Sequence, residues 1–388
     1  MALPRRHLRL STATLLALTV AMGAVSTARA EVVAVNAPAA ATTSTPAVAP
    51  AEVRASLLYA PATTRPVGTE AERPEILVAK DSRFGLPRDP RSGRAWLSGV
   101  WLGGNFNPAA LRAFGDWRGS SVETVTTYSE KSTFAAIRDE DWSISTFAGF
   151  EGTLVYGLSL LPFDQKASLA DVAAGKYDDV WKGVARNLLR HGRGDSIVRI
   201  GLEANGTWFP WGATSGSAPQ FRPAFRRVSS VLKSVAPDLL INFDIGCGVP
   251  LTGSSDRLAP LTRLYPGDEA VDIIGCDIYD WWTTRASSDS SWQKALRPAA
   301  GPGLADVAAF ARARNKGMSI PEWGVAPRSQ GGLGDNSLFI AKMRAFMDAN
   351  RDVLVFENYF NEPETSLASS LWNPVQNSRA SAQYRALW

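Results

Sequence analysis

Two stretches decide the fold: Arg199-Ile200-Gly201-Leu202-Glu203-Ala204-Asn205-Gly206-Thr207-Trp208-Phe209-Pro210-Trp211-Gly212 and Ile320-Pro321-Glu322-Trp323-Gly324. Each ends a short apolar, strand-like run on one glutamate with an indole close by. Along the first, a period of two places Arg199, Gly201 and Glu203 on one face. A carboxylate beside flat aromatic surface suits chemistry on a sugar. The acid reaches the glycosidic oxygen or the anomeric carbon, and the indole packs on the ring face.

Working outward, the same rhythm begins at Trp96. Eight strand candidates follow, over 96–103, 122–128, 153–161, 196–203, 239–246, 271–279, 317–322 and 353–360. Helix candidates lie between them, over 108–117, 131–141, 168–190, 219–235, 255–265, 303–316 and 335–350, and a tail includes 378–387. Strands alternating with helices predict parallel βα units, and eight of them suit an α/β fold of the closed (β/α)8 TIM-barrel type. The alternative is a doubly wound open sheet, which calls for a Gly-rich phosphate loop after the first strand. Residues 101–108 hold glycines without the G-x-G-x-x-G spacing, and no G-x-x-x-x-G-K-[ST] occurs. No internal repeat is present beyond the βα rhythm, so a single domain over 74–388 is expected.

The N-terminus reads as separate from that domain. Arg5, Arg6 and Arg9 precede an apolar run over 13–25, and Ala28-Arg29-Ala30 has the small-x-small form of a cleavage site. This is the pattern of a secretory signal peptide over 1–30, and it predicts a secreted, extracytoplasmic protein. The apolar run is short for a membrane anchor and no second span follows. Residues 31–73 are rich in Ala, Thr and Pro and read as a disordered linker. Loss of the four arginines in 1–30 takes the formal charge from +4 to 0, so the basic balance does not point to nucleic acid. A monomer acting on a polysaccharide, with no nucleic-acid partner, is expected.

Histidine excludes whole classes of chemistry. Of two, His7 falls in the signal and His191 in a polar, Gly-containing turn. A His-rich metal site is impossible and a Ser-His-Asp triad would rest on His191 alone, so acid–base work falls to carboxylates, with no metal or cofactor expected. Cys247 and Cys276 allow one disulfide at most. They lie on neighbouring strand candidates, and either a bridge or two buried thiols fits the sequence.

In a (β/α)8 barrel, functional groups sit at the C-terminal strand ends. That rule selects Glu203, Asp244, Asp277 with Tyr279, Glu322 and Glu357. Each also has a plainer explanation. A strand-end Glu can be a solvated rim residue. Arg199 can be a structural ion-pair partner of Glu322, Asp244 or Asp277. Asp277 and Tyr279 can be a buried hydrogen-bonded pair. Trp208, Trp211, Trp281, Trp282 and Trp323 all border strand ends, and core packing accounts for any one of them more readily than for all five.

Glu203-x-Asn205-Gly206-x-Trp208-Phe209-x-Trp211-Gly212, preceded by Arg199, resembles the acid/base motif of glycoside hydrolase family 26. Val271 to Tyr279 is similar to that family's sixth-strand motif, and Pro321-Glu322-Trp323-Gly324 to its nucleophile motif. The resemblance covers about residues 96–360. It implies a retaining β-glycanase, mostly of the β-mannanase kind, with Glu203 as acid/base, Glu322 as nucleophile and Tyr279 holding the nucleophile. Arg199, Asn205, Trp208, Trp211, Asp277, Tyr279, Trp281 and Trp323 are the implied substrate-binding set. One departure stands out: the family usually has His directly before the acid/base, and this chain has Leu202. The mechanism therefore transfers further than the substrate, which is left as mannan-like or an exopolysaccharide. Two other functions compete: a non-catalytic polysaccharide-binding protein on the same fold, and an exported hydrolase of another class, for which no G-x-S-x-G elbow is present.

Overall fold

Eight parallel strands close into a barrel in sequence order: β1 (Leu97–Trp101), β2 (Thr124–Tyr128), β3 (Thr153–Leu158), β4 (Ile197–Ile200), β5 (Leu240–Gly246), β6 (Ile273–Tyr279), β7 (Gly317–Gly324) and β8 (Leu354–Phe360). The computed structural model describes residues 83–86, 88–103 and 107–388. The expected signal peptide and linker lie outside the described residues. All eight strand candidates form, and the open-sheet alternative falls because β1 pairs with β8. The strands are buried along almost their whole length, as expected of a parallel sheet covered on both faces.

Helices α1 (Pro108–Arg118), α2 (Phe134–Asp139), α3 (Trp142–Ser145), α4 (Leu169–Ala173), α5 (Asp178–Arg190), α6 (Ala218–Val235), α7 (Ala259–Leu264), α8 (Asp289–Leu296), α9 (Leu304–Ala313), α10 (Ser337–Ala349) and α11 (Ser378–Leu387) form the outer layer. Their ends follow local chemistry. The Asn107 side chain accepts from the N–H of Ala110, Pro108 opens α1, and left-handed Gly119 closes it. The single helix expected over 168–190 is in fact two, because Gly175 turns left-handed between α4 and α5. Helix α8 lies outside the helix candidates: its polar DSSWQKAL sequence is nucleated by a reciprocal cap between Ser288 and Ser291.

The lumen is graded along its axis. Phe84 and Leu86 pack on Leu97, Ile197, Leu240 and Ile273 and plug the N-terminal end. Above them the filling is polar: Asn358 bridges Thr124 and Thr126, and Ser319 donates to Asn242. Higher again come charged groups. Burying a polar group is tolerable only when it is bonded, so this gradient supplies a preformed network beneath the C-terminal mouth.

Cys247 and Cys276 are joined as a disulfide, with Cα atoms 5.4 Å apart, and so resolve the choice the sequence left open. The bridge ties the end of β5 to β6, where Cys247 N–H also donates to Asp277 O at 2.9 Å. With a sequence separation of 29 between its ends, the loop it closes corresponds to about 3–4 kcal/mol of chain entropy. The Cys247→Ala/Cys276→Ala protein should lose stability of that order in urea denaturation.

Candidate active site

Arg199, on β4, lies at the centre of the mouth with no exposed surface. Nη1 donates to Glu322 Oε1 at 2.7 Å, and Nη2 to Asp244 Oδ2 at 2.5 Å and Asp277 Oδ2 at 2.6 Å. Strands β4, β5, β6 and β7 are thereby joined through one guanidinium. All three acids named as alternative partners turn out to be partners together. Three buried carboxylates against one cation leave surplus negative charge, and the groups respond accordingly. Burial raises Asp277 well above the ordinary carboxylate range and raises Asp244, while Arg199 opposes both shifts. Burial would lower Arg199, but its three anionic neighbours outweigh that and hold it firmly charged.

Glu322 is held on both oxygens. Oε1 accepts from Arg199 and from Tyr128 Oη at 2.7 Å; Oε2 accepts from Tyr279 Oη at 3.2 Å. Three donors, one of them cationic, hold the carboxyl in place. Its placement comes from a break in β7. Pro321 has no N–H for the ladder, and the register shifts on both sides of it, between Gly275 and Ile278 against β6 and between Ile320 and Trp323 against β8. Such irregularities re-aim side chains, and here Glu322 faces the Arg199 cluster.

Glu203 is not on a strand. The expected strand over 196–203 stops at Ile200, and Gly201 and Glu203 both adopt left-handed backbone, with φ of 55° and 49°. For a non-glycine residue this conformation costs about 1–3 kcal/mol and concentrates at functional sites. The strain is held by the following turn. Asn205 accepts from Gly246 N–H and donates to Gly246 O and Val249 O, and the Trp211 indole donates to Leu202 O at 2.9 Å. The carboxylate itself accepts one bond, from Trp208 Nε1 at 2.8 Å. Burial, then the negative charge of Glu322, raises its pKa to about 8; the Trp208 bond and Arg199 act the other way.

The ten expected site residues therefore separate. Glu203, Glu322, Arg199, Trp208, Asp277 and Tyr279 converge on one centre. Trp281 borders it, its ring 4.9 Å from that of Tyr279. Asn205 and the fully packed Trp211, stacked on Phe209 at 4.5 Å, form the frame of the Glu203 turn. Trp323 is a correction. Alternation along β7 sends it to the outer face opposite Glu322, where it is fully buried against Tyr359, Tyr384 and Trp388 and donates to Glu357 Oε2 at 2.6 Å. It has no ring face for a sugar. Glu357, picked out for its strand, is likewise an outer-face acceptor that also binds Ser98 and Trp388. Sequence reasoning missed Tyr128. Its only signal was its position as the last residue of β2, at the same barrel end as Glu203.

Beside the centre lies an open cleft. Its walls include Trp101, Tyr128, Glu140, Trp142, Leu202 and Glu362. Among the described residues no group of His, Cys, Asp and Glu is placed to hold a metal ion.

The family model for Glycosyl hydrolase family 26 matches residues 183–316. This span includes Arg199, Glu203 and Tyr279 and ends before Glu322. Among curated proteins, a mannan endo-1,4-beta-mannosidase of Bifidobacterium adolescentis is 28% identical over 208 residues, 51% of this chain and 19% of the relative. Endoglucanase H of Acetivibrio thermocellus is 25% identical over 202 residues, 50% of this chain and 21% of the relative. The chain thus spans about a fifth of the length of these relatives. Among solved structures, a modular endo-beta-1,4-mannanase of Cellulomonas fimi superposes with a TM-score of 0.54 at 19% identity, over 76% of this chain and 71% of that one. A family 26 beta-mannanase of Bacteroides ovatus gives 0.54 at 17% identity, over 76% and 88%. At these identities the structures speak for the barrel alone. The resemblance to glycoside hydrolase family 26 carried by the sequence motifs is borne out.

Removing Arg199 should leave Asp244, Asp277 and Glu322 without a counter-charge. The Arg199→Met protein is expected to lose about 3–5 kcal/mol at pH 8. The ionised forms are what become unfavourable, so the loss should shrink at pH 5, where the acids take up protons. Urea denaturation at the two pH values measures the difference.

Proposed function

We propose that this chain is a secreted, retaining, endo-acting glycoside hydrolase of β-linked polysaccharide, with Glu203 as acid/base and Glu322 as nucleophile. The observation that carries the proposal is the opposite treatment of two nearby carboxylates. Glu322 has three donors, one of them the Arg199 guanidinium. Glu203 has one, is buried, and is pushed up to about 8, so it holds a proton at neutral pH. One acid and one nucleophile are what double displacement at a glycosidic bond requires.

In the first step Glu322 attacks the anomeric carbon as the glycosidic C–O bond breaks, and Glu203 gives its proton to the leaving oxygen. The products are a free hydroxyl end and a glycosyl ester on Glu322. Esterification removes the Glu322 charge, which is one of the causes raising Glu203. Glu203, now ionised, becomes a stable carboxylate able to take a proton from water. Water attacks the same carbon, the ester breaks, Glu322 recovers its charge and Glu203 its proton. Two inversions retain the anomeric configuration. Arg199 stays cationic throughout and limits the cost of the charge that leaves and returns.

Names of the relatives point to β-1,4-mannan and to a glucan as the first substrates to try. Leu202 makes part of the cleft wall apolar, so no imidazole is there to bind a sugar hydroxyl. Packing on the ring face gains weight over hydrogen bonding at that wall. Export belongs to the proposal: the N-terminal pattern is secretory, and a disulfide persists in oxidising compartments.

Products should be sized, and their anomeric configuration read by NMR, on mannan, β-1,3-xylan, mixed-linkage glucan and bacterial exopolysaccharide. Glu322→Ala should abolish turnover while the protein stays folded; wild-type activity in that variant would sink the assignment. Glu203→Gln should lower kcat about 10²–10⁴-fold on polysaccharide. Because the active form of Glu203 is protonated, kcat/KM should fall as pH rises through about 8. An alkaline limb that persists in Glu203→Gln would assign that ionisation to another group.

A further inference from the structure

Bond making at Glu203 and Glu322 leaves two buried acids without a task. Asp244 and Asp277 have no exposed side-chain surface, and their Oδ2 atoms accept from the same nitrogen, Arg199 Nη2, at 2.5 and 2.6 Å. Two carboxyl groups on one nitrogen are immediate neighbours. We propose that Asp244 and Asp277 hold a single proton between them, and that the one negative charge left on the pair helps keep Glu203 protonated until the glycosidic bond breaks. The consequence at Glu203 rests on the glycosidase proposal above; the shared proton stands on the cluster alone.

The barrel brings the two acids together. In the ladder between β5 and β6, Asp244 lies opposite Gly275 and Asp277 lies opposite Gly246. A period of two turns all four toward Arg199, so each aspartate faces a glycine across the ladder. A Cβ on Gly275 would fall 2.9 Å from Asp244 Cβ and 2.6 Å from Ser319 Oγ, so a side chain there would intrude on the pair. The strands are also kept from parting. Cys247 follows Gly246, Cys276 precedes Asp277, and the two are bridged, while Cys247 N–H donates to Asp277 O at 2.9 Å.

Hydrogen bonding then places the proton. Each Oδ2 has the guanidinium, but neither Oδ1 accepts from a protein donor, although both are buried. A buried polar atom left unpaired costs about 1–3 kcal/mol. Two ionised carboxylates this close also repel, and sharing a proton relieves the repulsion. A proton on Asp277 makes that carboxyl a donor, with Asp244 as its acceptor. The shifts agree: burial raises both acids, Asp277 the further, and the bond from Asp277 works against the rise at Asp244. The other groups facing the pair are Arg199 of β4, Glu322 of β7 and Glu203 beyond β4, with the phenols of Tyr128 and Tyr279 from β2 and β6.

The pair matters to the acid because its charge is permanent. Burial raises Glu203 most, and the charges of Glu322 and then Asp244 add to it. When Glu322 becomes an ester its charge is gone, and that of Asp244 remains to keep Glu203 basic enough to take a proton from water. Glu203 gives its proton to the leaving oxygen and the pair keeps its own, so the net charge of the buried cluster is the same before and after the first step. Asp244 and Asp277 are positioning residues that act through Arg199 and Glu203.

The test compares wild type with Asp244→Asn, Asp277→Asn and the double variant, reading the alkaline limb of kcat/KM on the polysaccharide that wild type cleaves, with Tm alongside. An amide N–H donates where the shared proton did, so either single variant retains one negative charge. The limb should stay at the wild-type pH in both, whatever is lost in kcat. The double variant removes the charge, and the limb should move about one unit to lower pH. A limb that moves down in each single variant means two charges in wild type, and a limb unmoved in the double variant means none; either overturns the pair. Neutron diffraction from wild-type crystals in D2O at neutral pD reads the same point without variants. One deuteron should lie between Asp244 and Asp277, and none or two would overturn the pair. Because that measurement needs no turnover, a wild type that cleaves nothing ends the glycosidase proposal and still leaves the shared proton to be decided.

Discussion

The bonds from Arg199 to Glu322, Asp244 and Asp277 are the constraint on which the rest of the mouth depends. A fully buried guanidinium is sustained by carboxylates, and buried carboxylates are sustained by a guanidinium. The four groups come from four consecutive strands, so the cluster forms only when β4 to β7 stand in their final register. It also sets the electrostatics of the centre. One cation among four buried acids, Glu203 included, cannot keep all of them ionised at no cost. Burial raises Glu203, Asp244 and Asp277 alike, and of the three Glu203 alone has a neutral donor, the Trp208 indole, in place of the guanidinium.

Regular secondary structure ends where the chemistry begins. Glu203 lies in a left-handed turn beyond β4, and Glu322 lies in the part of β7 that Pro321 takes out of register. Both irregularities are braced by neighbours with no place in bond making. Asn205 and Trp211 lock the first, and Tyr128, Tyr279 and Arg199 hold the second. The polar filling below the mouth, from Thr124 and Asn358 to Asn242 and Ser319, gives those braces a bonded floor instead of an apolar one.

The tryptophans divide into three uses according to which way the backbone turns them. Trp211 and Trp323 are packed and fully buried, Trp208 and Trp281 border the centre, and Trp142 and Trp282 face water. In sequence they are alike: aromatic residues close to glycine, proline or acid.

Much of the fold was legible without coordinates. Apolar runs alternating with amphipathic segments named all eight strands, because a parallel sheet buried on both faces needs continuous hydrophobic runs, and that demand is local. The two glutamates, Arg199 and Tyr279 were legible too, since charge and polarity at the end of an apolar strand are conspicuous. Chain alone could not show that Glu203 leaves its strand, that Trp323 turns outward, that Tyr128 reaches Glu322 or that Cys247 joins Cys276. Each depends on register and on partners distant in sequence: Tyr128 and Glu322 are 194 residues apart. Sequence determined which residues carry charge, apolar surface and rings, because these are properties of side chains. Tertiary structure alone decided which of them meet, because direction is set by a single residue of register or a single left-handed φ, and both are fixed only when the barrel closes.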